Sequence, residues 1–246
     1  MFEVTGWRAD HARVSLFSSQ PWSLDLTRLF EAVWELSPDS TSSRVALQET
    51  VLEARSSSGT VRLAKQGQRL DFFALPPMDP TGERPPMIDD GASALARLIT
   101  AVSRSEAFRT ENGIIRVALG ANAFWPAADL NEAYRWLNEH ISFLTLDPAQ
   151  HADFELKMNF PCAAQENAGI RINRMGTWTV GIYGLLTVAI GGAAQASAST
   201  SFHHIASILG FDVNSDGARA EVYSQNELDM VLRECVSGVD WLLRGI

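Results

Sequence analysis

Two stretches of the chain repeat one another, and an internal repeat constrains a fold more than any other sequence feature, because both copies must close the same kind of unit. Residues 13–26 read RVSLFSSQPWSLDL and residues 116–130 read RVALGANAFWPAADL. Arg13, Val14, Leu16, Trp22, Asp25, Leu26 and Phe30 match Arg116, Val117, Leu119, Trp125, Asp129, Leu130 and Tyr134, with one residue inserted after the Trp. A second echo lies downstream, where GTVRLAKQG at residues 59–67 aligns with AGIRINRMG at residues 168–176. It pairs Arg62 with Arg171, Leu63 with Ile172, Lys65 with Arg174 and Gly67 with Gly176. The expectation is a tandem duplication: a first copy over residues 1–110 and a second over residues 111–246, in one compact body.

The local patterns fill in each copy. Residues 2–8 and 13–17 alternate apolar and polar positions and read as two strands. Pro21-Trp22-Ser23 opens a helix with Ser23 as N-cap, in which Leu26, Leu29, Phe30, Val33 and Trp34 form one apolar stripe. Strands are expected over residues 45–55, 60–65 and 69–75, separated by turns at Ser56-Ser57-Ser58-Gly59 and Gln66-Gly67-Gln68. Residues 76–91 (PPMDPTGERPPMIDDG) form a proline-rich loop, and a helix is expected from about residue 92 to residue 108. The second copy repeats this plan: a strand over residues 114–119, a stripe of Leu130, Ala133, Tyr134, Leu137 and Ile141, and strands over residues 153–161, 169–174 and 177–190. A loop of small residues (GGAAQASASTS, residues 191–201) and a short helix over residues 202–209 follow. Ser224-Gln225-Asn226-Glu227 is a capping-box pattern that opens a C-terminal helix over residues 225–244.

Each copy therefore reads as β-α-β-β-β-α. The fold class is α+β: antiparallel sheets, each covered by helices on one face, related by a pseudo-two-fold. This element order resembles the helix-grip and TATA-binding-protein layouts, in which two tandem copies form a saddle.

Charge narrows the partners. The chain carries a net charge of −9, which disfavours phosphate backbones and favours protein partners, basic ones included. Met1-Phe2-Glu3-Val4 has neither a basic nor an apolar leader pattern, so Cys162 and Cys235 are expected as reduced thiols in the cytoplasm. The most apolar window, residues 180–194, is short of the roughly 20 residues of a spanning helix and holds four glycines, so no membrane is expected.

Candidate site residues come from the echoed charges. Arg13/Arg116 on strands and Asp25/Asp129 at helix starts invite an Arg–Asp brace in each copy. The competing reading is a basic strip on the open sheet face, built from Arg62, Lys65, Lys157, Arg171 and Arg174. His203, beside His204 at a helix start, is a further candidate for binding an anion. Asp212, Asn214 and Asp216 open a calcium-loop pattern, but Tyr223 stands where its bidentate Glu belongs, so a polar turn is expected and no metal or other cofactor. Asp153 and Glu155 alternate on one strand as a solvated face. No nucleophile elbow, phosphate loop or zinc motif occurs. The leading expectation is a non-catalytic binding or assembly protein that uses the duplicated sheet surface or its long loops. A small-ligand protein or enzyme with a site between the copies is the alternative, with a nucleic-acid saddle third. Self-association stays open.

Overall fold

The computed structural model describes residues 2–77, 85–183, 186–191, 195–200, 204–219 and 221–246, with residues 183, 186–191 and 195–200 described by backbone alone. The chain is mixed α+β. In order it forms β1 (Arg8–Ser18), α1 (Leu26–Trp34), β2 (Ser40–Arg44), β3 (Glu49–Ser56), β4 (Gly59–Gln66), β5 (Arg69–Leu75) and α2 (Gly91–Arg104). Then come β6 (Ile114–Ala127), α3 (Leu130–His140), β7 (Glu155–Asn159), β8 (Cys162–Ala163), β9 (Arg171–Tyr183), β10 (Leu186–Gly191), β11 (Gln195–Thr200), β12 (His204–Ser215) and α4 (Gln225–Leu243). Ten strands make one sheet in the order β2-β3-β4-β5-β1-β6-β12-β9-β7, with β8 also on β9. Its pairings are antiparallel throughout. Among the described residues, strands β10 and β11 pair only with each other, beyond the ends of β9 and β12.

Side chains alternate across a strand, so each strand has two faces. On one face Val14 and Leu16 of β1, Leu70 and Phe72 of β5, Val117 and Leu119 of β6, and Leu209, Phe211 and Val213 of β12 are buried. They share a single core with Leu29, Phe30 and Val33 of α1, Leu95 and Leu98 of α2, Tyr134 and Leu137 of α3, and Leu228, Val231 and Val239 of α4. All four helices therefore cover the same side of the sheet. Burying each large side chain stabilises the fold by about 1.5–3 kcal/mol, which makes this layer the main source of stability.

The helix starts follow from polar caps. Asp25 accepts hydrogen bonds from the backbone N–H groups of Thr27 and Arg28, so it and not Ser23 caps α1. Asp129 caps α3 through Glu132 N–H. Ser224 and Glu227 form the reciprocal capping box at α4. At the centre of the sheet β1 and β6 run antiparallel, with Val14 opposite Leu119, Ser15 opposite Ala118 and Leu16 opposite Val117.

Several elements depart from the sequence patterns. Residues 2–7 are not a strand: Gly6 takes φ +84°, outside the extended region, and the Glu3 and Val4 N–H groups are held by the Asp240 carboxylate. The strand starts at Arg8 and continues through a register shift between Ala9 and Ala12 to Ser18. Val45 and Leu47 lie in a 3-10 turn after the additional strand β2, not in a strand. Of the helix expected over residues 202–209, the described residues 204–209 are instead the start of β12, paired with β6 and β9. Residues 195–200 of the small-residue loop are strand β11. Residues 78–84 of the proline-rich loop lie outside the described residues, while Ile88 on its far side bridges to Ala9.

Candidate functional site

Because the helices lie on one side, the alternate side chains of the central strands form an open face, and its chemistry changes across the sheet. Towards β4 it combines arginine with phenylalanine. Arg69 and Arg116 flank the Phe17 ring at 5.4 and 4.8 Å, and Arg62 lies 5.9 Å from the Phe73 ring. Arg62 also donates to a Glu53 carboxylate oxygen at 2.5 Å. Beneath Arg69, the buried Ser15 hydroxyl donates to Asp71 at 2.5 Å and the Arg69 Nε donates to the same carboxylate at 2.9 Å. Carboxylates thus hold Arg62 and Arg69 beside rings that remain half-exposed.

The middle of the face is an ion pair set into a polar chain. Arg13 Nη2 donates to Asp212 Oδ2 at 2.7 Å, and Asp212 Oδ1 accepts from Asn214 at 2.6 Å. Asn173 donates to Asn214 at 3.3 Å, and Asn159 donates to Asn173 at 3.2 Å, carrying the chain across β12, β9 and β7. On the other side Asn122 donates to Asp10 at 2.8 Å, and His11 Nδ1 lies 2.6 Å from the same carboxylate. Of these groups His11, Arg13, Asn122 and Asp212 line a depression of about 480 Å³, with Lys157 and Thr177 on its wall. Glycines on its floor leave room for the side chains above. A Cβ on Gly120 would meet the Arg13 guanidinium at 2.7 Å, and one on Gly210 would meet the Asn122 amide oxygen at 2.8 Å. The end of the face beyond it is apolar: Phe124, Ala206 and Ile208 form a small cluster with Met87 packed against it.

The basic residues singled out in the sequence are divided between the two faces. Arg62 stands on the open face, and Lys157 borders the depression. Lys65, three residues after Arg62 on a strand, points the other way, where its ammonium donates to the Trp22 carbonyl at 2.7 Å. Arg174 likewise lies on the helix side, 4.0 Å from the Trp241 ring of α4 and donating to the Phe160 carbonyl. Arg171 is exposed near the end of β9. His203 lies outside the described residues. No single strip collects these groups.

The Arg–Asp brace is also not formed: Asp25 and Asp129 cap helices, Arg13 pairs with Asp212, and Arg116 stacks on Phe17. The calcium-like pattern is not a loop, since Asp212 and Asn214 are ladder residues of β12 and Asp216 accepts from its own turn at Ala218 N–H. Among the described residues no group of three or more His, Cys, Asp or Glu side chains could hold a metal ion. Burial pushes the Cys235 thiol far above its ordinary range, as suits a core side chain. What the sequence reading missed is Phe17, Phe73 and Asp71. Its signal was the period-two runs Arg13-x-Ser15-x-Phe17 and Arg69-x-Asp71-x-Phe73.

Fold and site together define an α+β protein with one broad antiparallel sheet, helix-covered on one side and rich in arginine, phenylalanine and amides on the other. Compared with protein-family models and with curated proteins, the chain matches none. Among the described residues, no helix is long and apolar enough to cross a membrane.

Proposed function

We propose that the chain is a non-catalytic binding or assembly protein whose open sheet face holds a protein partner. The observation that carries this reading is the arginine–phenylalanine cluster around Phe17 and Phe73. Half-exposed aromatic rings braced by arginines are the composition enriched at protein interfaces, where a few such residues dominate affinity. A net charge of −9 favours a basic partner by steering its approach. The setting proposed is the cytoplasm, which suits the two unpaired cysteines.

Duplication belongs to the same proposal. The two halves, residues 1–110 and 111–246, are read as copies of one β-α-β-β-β-α unit about a pseudo-two-fold at the Ser15–Ala118 pair. Three things support it. The echo that matches Val14 with Val117 and Leu16 with Leu119 maps the β1–β6 ladder onto itself. Outward from that seam the strands run β1-β5-β4-β3 on one side and β6-β12-β9-β7 on the other. Helices α1 and α3 each follow the first strand of a half, and α2 and α4 follow the last.

The test is affinity purification of tagged chain from its native cell, with and without Phe73→Ala and Arg62→Glu. A stoichiometric protein lost with the substitutions supports the reading, and a chain that emerges alone counts against it. The depression beside Arg13 and Lys157 favours a second reading, a small-ligand site, which a co-purifying metabolite would support. The division of basic residues between two faces weighs against a nucleic-acid saddle.

A further inference from the structure

The two edges of the ten-stranded sheet are finished differently. At one edge β7 carries Glu155 and Lys157, both exposed, and such charges discourage strand addition. At the other edge β2 reads Ser40-Thr41-Ser42-Ser43-Arg44, every residue exposed. It has no proline, lysine or acidic residue, and its ladder to β3 runs through five consecutive pairs without a shift. Among the described residues nothing pairs with its outer side. The 3-10 turn that follows leaves Val45 89% and Leu47 52% exposed. An unguarded strand edge with apolar residues at its end is a template for another strand.

We propose that β2 is the seam of a homodimer, in which two copies pair this strand antiparallel about Ser42 and join their sheets into one. The strand suits itself. Centred on Ser42, Thr41 of each copy stands opposite Ser43 of the other, a cross-strand hydroxyl pair. Arg44 of each copy stands opposite Ser40 of the other, on the face where Ser40 neighbours Glu53 within its own sheet. Strand spacing of about 4.8 Å brings the long Arg44 side chain within reach of that carboxylate. Its present contact, Glu49 at 3.6 Å with the Arg44 side chain 73% exposed, leaves it free to swing across. Residues 40–48 contain no acidic residue, so two copies of a chain of net charge −9 can meet along this strand without opposing carboxylates of the strand itself. The seam leaves the Phe17 and Phe73 rings uncovered, and its Arg44 contact shares the Glu53 carboxylate with Arg62.

The test is sedimentation velocity over a dilution series, from nanomolar to high micromolar chain. The wild type is expected to pass from monomer to dimer. Ser42→Pro, which interrupts the edge, is expected to stay monomeric at every concentration while keeping the wild-type circular dichroism. Arg44→Glu, at an exposed side chain outside the core, is expected to weaken the dimer by about tenfold, because it sets two carboxylates against each other. A wild type that is monomeric throughout overturns the proposal, as would happen if the edge served a strand of a different protein. A dimer whose affinity is unchanged by Arg44→Glu also overturns it, because that variant does not depend on how well Ser42→Pro folds.

Discussion

The helix-covered and open faces of the sheet are made from the same strands, residue by residue in alternation, yet different forces organise them. On the covered face Phe72, Leu119, Leu209 and Trp178 are shut from water, and the helices supply their partners. On the open face Phe73, Arg13 and Asn173 remain half-exposed and hold one another laterally, through ion pairs, ring contacts and an amide chain. Exposed ion pairs and hydrogen bonds add little to stability, of order 0–1 kcal/mol each. A face so heavily furnished with arginine and phenylalanine therefore contributes little to keeping the chain folded.

The adjacent phenylalanines of β5 give the largest contrast. Phe72→Ala empties a site beneath α1, where the Trp34 ring lies 5.9 Å away, and is expected to cost about 3–5 kcal/mol in urea unfolding. Phe73→Ala should cost under about 1 kcal/mol, because water already reaches the ring. Equal losses would erase the distinction between the faces. Next is Gly176→Ala on β9, where a Cβ would stand 2.3 Å from the buried Trp178 ring. Overpacking there should cost about 1–3 kcal/mol, read as a fall in the unfolding midpoint without a change in slope. Ser224→Ala, which removes the capping hydroxyl of α4, should cost about 1 kcal/mol by the same measurement.

Smallest are the effects of pH at the two ends of α4. Hydrogen bonding from the Ser224 N–H holds Glu227 below the ordinary glutamate value of 4.5. Its contribution is therefore present above that value and is lost as pH falls through the lower folded value. Asp240 runs the other way. Burial, opposed by the Val4 N–H, raises its carboxyl above 3.8, so its contribution is present below 3.8 and lost as pH rises through the folded value. Asp240→Asn should thus leave stability at neutral pH unchanged or slightly higher, while Glu227→Gln lowers it. Stability curves for both variants between pH 3 and neutrality check the opposite signs.

How much of this was legible in the sequence depended on whether local chemistry or sheet position decided the outcome. The α4 capping box and the alternation over residues 69–75 are local, and both elements form where the residues place them. Strand β12 was not legible, because it lies in the interior of the sheet with apolar side chains on both faces. Ile205, Ile208 and Leu209 consequently imitate helical spacing, although Ile208 and Leu209 point to opposite sides. The open-face residues were legible only in part. Arg62 and Lys65, like Arg171 and Arg174, are three apart, and odd spacing on a strand sends side chains to opposite faces. That rule alone separates them, leaving Arg62 on the open face and Lys65 against the Trp22 carbonyl. The Arg13–Asp212 pair joins residues from opposite ends of the chain, and no local pattern announces it.

The most direct measurement is a comparison of two purifications from the native cell, each from a tagged variant alongside the wild type. One variant carries Phe73→Ala with Arg62→Glu on the open face, and the other carries Arg135→Glu on the exposed side of α3. The expected result is a stoichiometric protein partner that the wild type and Arg135→Glu retain and the open-face variant loses. A partner that all three chains retain equally would contradict the reading of the open face, and one that Arg135→Glu alone releases would place binding on the helix side instead.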